Sequence, residues 1–184
     1  MKEPSIQPYR RSIRLPGYDY SQPGIYFITL VTYQRQRLFG KIANGTMLLN
    51  PFGQIAAAEW FKTSQLRPYI KLFSDEFVVM PNHIHGILHI DFAPPAIETA
   101  LQRNAPTKQS PLAQPPGPHS LASVVRAYKS AVTYAINAQN DSRGSPVWQR
   151  NYYEHIIRSE KEYLQIQAYI ENNPVNWVAD SENV

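Results

Sequence analysis

The sequence predicts an α+β fold, in which an antiparallel sheet has helices packed on a face. Three observations carry this reading. The chain has 184 residues, 43% of them hydrophobic, enough apolar material for the core of one domain spanning 1–184. Its strand-like and helix-like runs follow the order β, short β, α, β, β, linker, α, short β, α, without an internal repeat. No apolar run approaches the roughly 18 residues needed to span a bilayer.

Each element has a local reason. GIYFITLVTY, from Gly24 to Tyr33, is β-branched and aromatic and reads as a buried strand. Gly45 to Leu49 follows the turn-forming Ala43-Asn44-Gly45 and pairs back as a short strand. Pro51 suits a first helical turn, and the alanine-rich stretch after it predicts a helix over 51–66. Leu72 to Met80 reads as a long strand, Pro81-Asn82 as a tight turn, and His83 to Ile90 as the returning strand of a hairpin. Seven of the 16 prolines then fall between Pro94 and Pro118, so 91–118 is read as a proline-rich surface loop. Ser120 caps a helix over 121–136. Val147 to Ile157 is strand-like near its end. Ser159, with Glu162 three residues on, opens a last helix that Pro174 stops.

Composition narrows the function classes. The chain has no cysteine, which removes disulfide frameworks, thiolate zinc sites and cysteine nucleophiles. The N-terminus lacks the apolar stretch of a secretory signal, so a cytoplasmic protein with no membrane partner is expected. The net charge is +4 and is unevenly spread. Residues 1–41 hold seven basic and two acidic side chains, whereas the rest hold eleven and twelve. The basicity belongs to an N-terminal arm (1–20) and the strand after it, and favours a polyanionic partner.

The sharpest local feature is His83-Ile84-His85. On a strand, alternate side chains share a face, so both imidazoles point one way about 6–7 Å apart along the chain. Two such imidazoles can grip one divalent ion with a third ligand from elsewhere, although His-x-His pairs also occur as ordinary packed histidines. A histidine-triad hydrolase would need a third histidine where Ile87 stands, since His89 comes two residues too late. The His-x-Thr/Ser pairs of cyclic phosphodiesterases and the His-Glu-x-x-His helix of metalloproteases are absent. The second feature is the last helix, where Tyr169 and Asn173 are four apart and share a face. Packing alone would account for each. A histidine pair facing a helix with a phenol and an amide also suits phosphoryl transfer, in which a phenol attacks a phosphate whose charge is neutralised.

The run FVVMPNHIHGILHI resembles the His-hydrophobic-His (HUH) strand of the single-tyrosine transposases. VWQRNYYEHIIRSEKEYLQIQAYIENNPVNW resembles that family's C-terminal signature, which ends in Tyr-Ile-x-x-Asn-Pro-Val. With GIYFITLVTYQRQRLFG, the likeness spans most of residues 20–177 and lies nearest the transposases associated with repetitive extragenic palindromes. The resemblance implies a ferredoxin-like antiparallel sheet with helices packed on it, the HUH endonuclease fold. It implies His83 and His85 as metal ligands, Tyr169 as nucleophile and Asn173 as the third ligand, with Asn172 a neighbouring candidate. It further implies a metal-dependent single-strand DNA endonuclease and strand transferase that cuts beside imperfect palindromic hairpins through a 5′-phosphotyrosine link. The cofactor would be a divalent metal, magnesium or manganese, although imidazoles also accept zinc or nickel. The family has both dimers and single-chain enzymes.

Around this centre, Glu154 and His155 either orient ligands or hold a strand edge. Tyr152 and Tyr153 are rival nucleophiles. Arg10, Arg11 and Arg14, with Tyr9 and Tyr18 interleaved, combine phosphate contacts with stacking surfaces. Arg126 and Lys129 on the helix after the linker, and Trp148, Gln149 and Arg150, are further candidate DNA contacts. Glu59 and Trp60 read as helix-face residues. Two rivals remain: a non-catalytic module that holds structured nucleic acid, and a metal-dependent phosphodiesterase that uses water.

Overall fold

The computed structural model describes residues 18, 20, 22–91, 119–180 and 182–183. Arg10, Arg11, Arg14 and Tyr9 lie outside the described residues, as does the proline-rich segment beyond Asp91 up to Pro118. Strand β1 is Gly24–Val31, followed by a hairpin of β2 (Gly40–Ala43) and β3 (Thr46–Leu49). Asn44 and Gly45, both at positive φ, make its turn, as the Asn-Gly pair demands. Helix α1 is Pro51–Leu66. Strands β4 (Ile70–Lys71), β5 (Phe77–Val79) and β6 (His83–Ile90) come next, and then α2 (Leu121–Gln139), β7 (Tyr153–Ile157) and α3 (Glu160–Asn172). Among the described residues no helix is long and apolar enough to cross a membrane.

The main sheet is antiparallel. β6 pairs β1, β1 pairs β7 at one edge, and both β4 and β5 pair along the other edge of β6. Taking β1, α1, β5, β6, α2 and β7 in turn gives the ferredoxin-like βαββαβ order, with α3 added after it. β2 and β3 form a separate two-stranded sheet. The expected strand over Leu72–Met80 is broken. A 3-10 turn at Ser74–Glu76 leaves only Phe77–Val79 in the ladder. The cause is Glu76, whose buried carboxylate turns inward to His89 and Tyr163.

Strand alternation sorts the side chains between two faces. Tyr26, Ile28 and Leu30 of β1 and Ile84, Leu88 and Ile90 of β6 face α1 and α2, where they form the main core with Trp60, Val124, Tyr128 and Val132. Trp60, a core residue, stacks on Phe77 at 4.7 Å between centroids. The opposite face carries α3 and a smaller cluster of Phe27, Ile87, Ile157 and Ile170. Caps fix the helices. The Asn50 side chain accepts from the Phe52 and Gly53 amides at 3.0 Å each. Ser159 Oγ accepts from the Glu162 amide at 3.3 Å, which starts α3 next to the edge strand β7.

Candidate active site

His83 and His85 project from β6 onto the α3 face and are buried there. Their Nε2 atoms lie 2.9 Å apart. Two nitrogens bound at right angles to one cation, about 2.1 Å from each, would sit ~3.0 Å apart. Each ring is held by its other nitrogen. His83 Nδ1 donates to Asn82 Oδ1 at 2.8 Å, and the Asn82 amide is fixed in turn because its Nδ2 donates to the Glu182 carbonyl at 2.6 Å. His83 therefore presents Nε2 as a lone pair. His85 Nδ1 meets Thr29 Oγ1 at 2.8 Å, from the residue directly opposite it on β1. Such partners orient metal-binding imidazoles. Burial lowers the His83 pKa to about 4, against the opposing pull of Asp180. Burial, with His83 beside it, also drives His85 well below its ordinary value. Both rings are thus neutral at neutral pH, the form a metal ligand needs.

Tyr169 stands on α3 above them, its hydroxyl 3.1 Å from His85 Nε2 and its ring half-exposed. Its phenol pKa is raised by burial and by Asp180. Asn173 is buried at the C-terminal end of α3. Its Nδ2 donates to Asp180 Oδ2 at 2.8 Å, while its Oδ1 is buried without a partner among the described residues. Asp180 Oδ2 is 3.8 Å from His83 Nε2, and the donor atoms of His83, His85 and Asp180 all lie within 4.8 Å of one another. Two imidazole nitrogens, a carboxylate and an orphaned amide oxygen are a donor set that fits a divalent cation.

Sequence reasoning missed Asp180. It follows a 3-10 turn at Trp177–Ala179, and nothing in its local pattern marks it. The fold brings it in because Trp177 packs beside His83, with ring centroids 6.0 Å apart. Arg35 also pairs with Glu182 at 2.5 Å. Thr29 and Asn82 were likewise invisible as orienting groups. Of the rival tyrosines, Tyr152 packs against the main core on the other face, whereas Tyr153 is on the site face next to Thr29. His155 is also on the site face and bonds Glu162 at 2.6 Å, while Glu154 is buried on the other side.

The other candidate DNA contacts sort differently. Arg126 and Arg150 are exposed, Arg126 on α2 behind the sheet. Lys129 Nζ donates to the carbonyls of Gln149 and Arg150 at 2.6 and 3.2 Å, and burial lowers its pKa. Trp148 is only 7% exposed and packs on Phe39 and Tyr128, which makes it a core residue and not the DNA contact its neighbours suggested. Lys129, Tyr134 and Arg150 line an open groove of about 460 Å³.

No family model matches the chain. An uncharacterised protein of Haemophilus influenzae is 43% identical over 175 residues, covering 94% of this chain and 92% of that protein. A putative REP-associated tyrosine transposase of the same organism is 25% identical over 159 residues, or 85% of this chain and 73% of its own length. The solved structure of a REP-associated tyrosine transposase bound to a REP hairpin matches with a TM-score of 0.55 at 23% identity, over 94% of this chain and 74% of that one. A ferredoxin-like sheet that sets a buried histidine pair under a tyrosine-bearing helix has the architecture expected of a single-tyrosine transposase. The chain is similar in sequence to a putative REP-associated tyrosine transposase and shares the fold of the solved one.

Proposed function

We propose that the chain is a metal-dependent single-strand DNA endonuclease and strand transferase acting beside imperfect palindromic hairpins. The observation that carries this is the Tyr169 hydroxyl 3.1 Å from His85 Nε2, beside the paired His83 and Asp180. His83, His85 and Asp180 would hold magnesium or manganese, with Asn173 orienting Asp180 through its Nδ2 and offering its Oδ1 as a further donor. Bound there, the ion would polarise the scissile phosphate and offset its charge.

The chain's own residues supply the rest. Tyr169 is the nucleophile, and its oxygen bonds to phosphorus as the bond from phosphorus to the 3′-oxygen breaks. The phenolic proton leaves, and the departing 3′-oxygen takes up a proton and becomes a free hydroxyl. The 5′-phosphate remains on Tyr169. In the reverse sense a 3′-hydroxyl attacks that link, joins the strands and restores the phenol without an external energy source. Burial and Asp180 keep Tyr169 protonated at neutral pH, so attack requires the positive charge that the two histidines and Asp180 would hold in place. Arg10, Arg11 and Arg14 would grip phosphates, with Arg126, Arg150 and Lys129 as secondary contacts.

The test is covalent capture. The full chain is incubated with a labelled single-stranded oligonucleotide that carries a hairpin, then run on a denaturing gel. An adduct is expected with magnesium or manganese, and none with chelator or in Tyr169→Phe. An adduct in Tyr169→Phe would overturn the nucleophile. Hairpin binding without any adduct from the unaltered chain would favour a non-catalytic module, and cleavage without an adduct would favour a water nucleophile.

A further inference from the structure

The α3 face of the sheet carries an aromatic side chain that neither the metal cluster nor the core uses. Tyr153 opens the edge strand β7, where it lies opposite Thr29 of β1. Thr29 in turn lies opposite His85 of β6. The three residues therefore form one row across the sheet, with Tyr153 two strands from His85, or about 10 Å. Register also puts all three side chains on the face that Tyr169 covers.

Phe27 joins these groups. Its buried ring stacks on His85 at 5.4 Å and 26°. It meets Tyr169 edge-on at 6.2 Å and Tyr153 edge-on at 6.2 Å. Two tyrosines thus flank one phenylalanine beside the histidine pair. Both are half-exposed, Tyr153 at 48% and Tyr169 at 44%. Phe27 supplies the packing on this row. The outer half of the Tyr153 ring has no folded partner, and its hydroxyl makes no hydrogen bond among the described residues. Its neighbour on the same face, His155, is tied to Glu162 and leaves the ring uncovered. Glu154, the acidic residue next in sequence, is buried on the opposite face.

An exposed phenol ring at the rim of a phosphodiester site, on a face where the Glu162 carboxylate is held by His155, suits a flat uncharged π-surface. We propose that Tyr153 is the stacking platform for an unpaired nucleobase adjacent to the scissile phosphate. This rests on the endonuclease reading above. The base lies on the Tyr153 ring, and the phosphate beside it is thereby set over His85 and Tyr169. Stacking is tolerant of base identity, so the platform positions the strand without reading its sequence.

The experiment is run in the Tyr169→Phe chain, so that binding is read without chemistry. 2-Aminopurine is placed in turn at each unpaired position of a hairpin-bearing oligonucleotide. Quenching on binding is expected at one position next to the cleavage point. Adding Tyr153→Ala or Tyr153→Leu should remove it, and Tyr153→Phe should keep it. With Tyr169 intact, Tyr153→Ala should raise the half-saturating oligonucleotide concentration for adduct formation by about 10- to 100-fold, with a smaller change in the saturated rate. Thermal melts of the variants check that the edge strand is intact. Quenching that survives in Tyr153→Ala, or a half-saturating concentration equal to that of the unaltered chain, would overturn the proposal. Absence of any adduct with Tyr169 present would instead sink the endonuclease reading, because the fluorescence decides the platform separately.

Discussion

On the face of the sheet under α1 and α2, the side chains of β1 and β6 are aliphatic or aromatic and join one large cluster with both helices. On the face under α3, the same two strands present Thr29, His83, His85 and His89 around a small cluster centred on Phe27, Ile87 and Ile170. Both faces are well covered, but only the first buries mainly apolar surface. Burying neutral imidazoles costs free energy unless each is hydrogen-bonded. The first face supplies the stability that lets the second hold polar groups in a fixed geometry. This division predicts that neighbouring residues of β6 fail in different ways.

Gly86 and His85 make the largest contrast. A Cβ on Gly86 would sit 2.4 Å from a ring carbon of Trp60, which is itself pinned against Phe77. Gly86→Ala should destabilise the fold by about 1–3 kcal/mol or more through overpacking, read as a shift in the urea midpoint. Cleavage by the folded fraction should stay within a few-fold. His85→Ala should do the reverse. Under the proposed mechanism, in which His85 would hold the cation, adduct formation should fall on the order of a thousandfold while hairpin binding persists. If each variant loses both properties, the two faces are coupled and the division is wrong.

Acid titration sharpens the contrast. The His83 pKa is lowered to about 4, and His85 also lies well below its ordinary value. In the unfolded chain both should titrate near 6.5. Between those values the unfolded state binds protons that the native state does not, so stability falls as pH drops through the window. The slope should approach about 1.4 kcal/mol per pH unit for each histidine. The measurement is the urea midpoint at pH 7 and pH 5 in chelator, and His83→Ala should reduce the difference by roughly half, leaving the part due to His85. A flat profile in the unaltered chain would mean that burial does not hold these rings neutral.

What the sequence made legible follows the range of the forces involved. α1 was readable over 51–66 because Pro51 and the helical spacing after it act locally, while its Asn50 cap emerged only in the structure. The histidine pair was readable because strand alternation needs only residues i and i+2. Tyr169 and Asn173 were readable because a helix brings i and i+4 together. Asp180 was not, because its place depends on Trp177 reaching His83 across the fold. The strand expected over Leu72–Met80 broke for the same kind of reason. Glu76 answers to His89 and Tyr163, which lie 13 and 87 residues further on. Tyr153 was named as a rival nucleophile, but its position in the His85 row depends on strand register.

The Glu76 node gives the smallest and most discriminating effect on the polar face. Its carboxylate, only 1% exposed, accepts from the Tyr163 hydroxyl and bonds His89 at 2.7 Å. This polar contact ties the first half of α3 to the sheet, and Ile166 and Ile170 provide the apolar one. Tyr163→Phe leaves one carboxylate oxygen short of a partner, which should cost about 1–3 kcal/mol. Tyr169 sits six residues along the same helix, so a looser seat should slow adduct formation a few-fold at unchanged hairpin affinity. The defect should be constant from pH 7 to 10, because the hydrogen bond to Glu76 and burial push the Tyr163 phenol up to about 12. Single-turnover capture and hydrogen exchange of the α3 amides read the two consequences separately. If neither moves, the Tyr163–Glu76 bond does not seat α3, and its isoleucines hold it together with the Glu162–His155 and Gln167–Asp75 contacts.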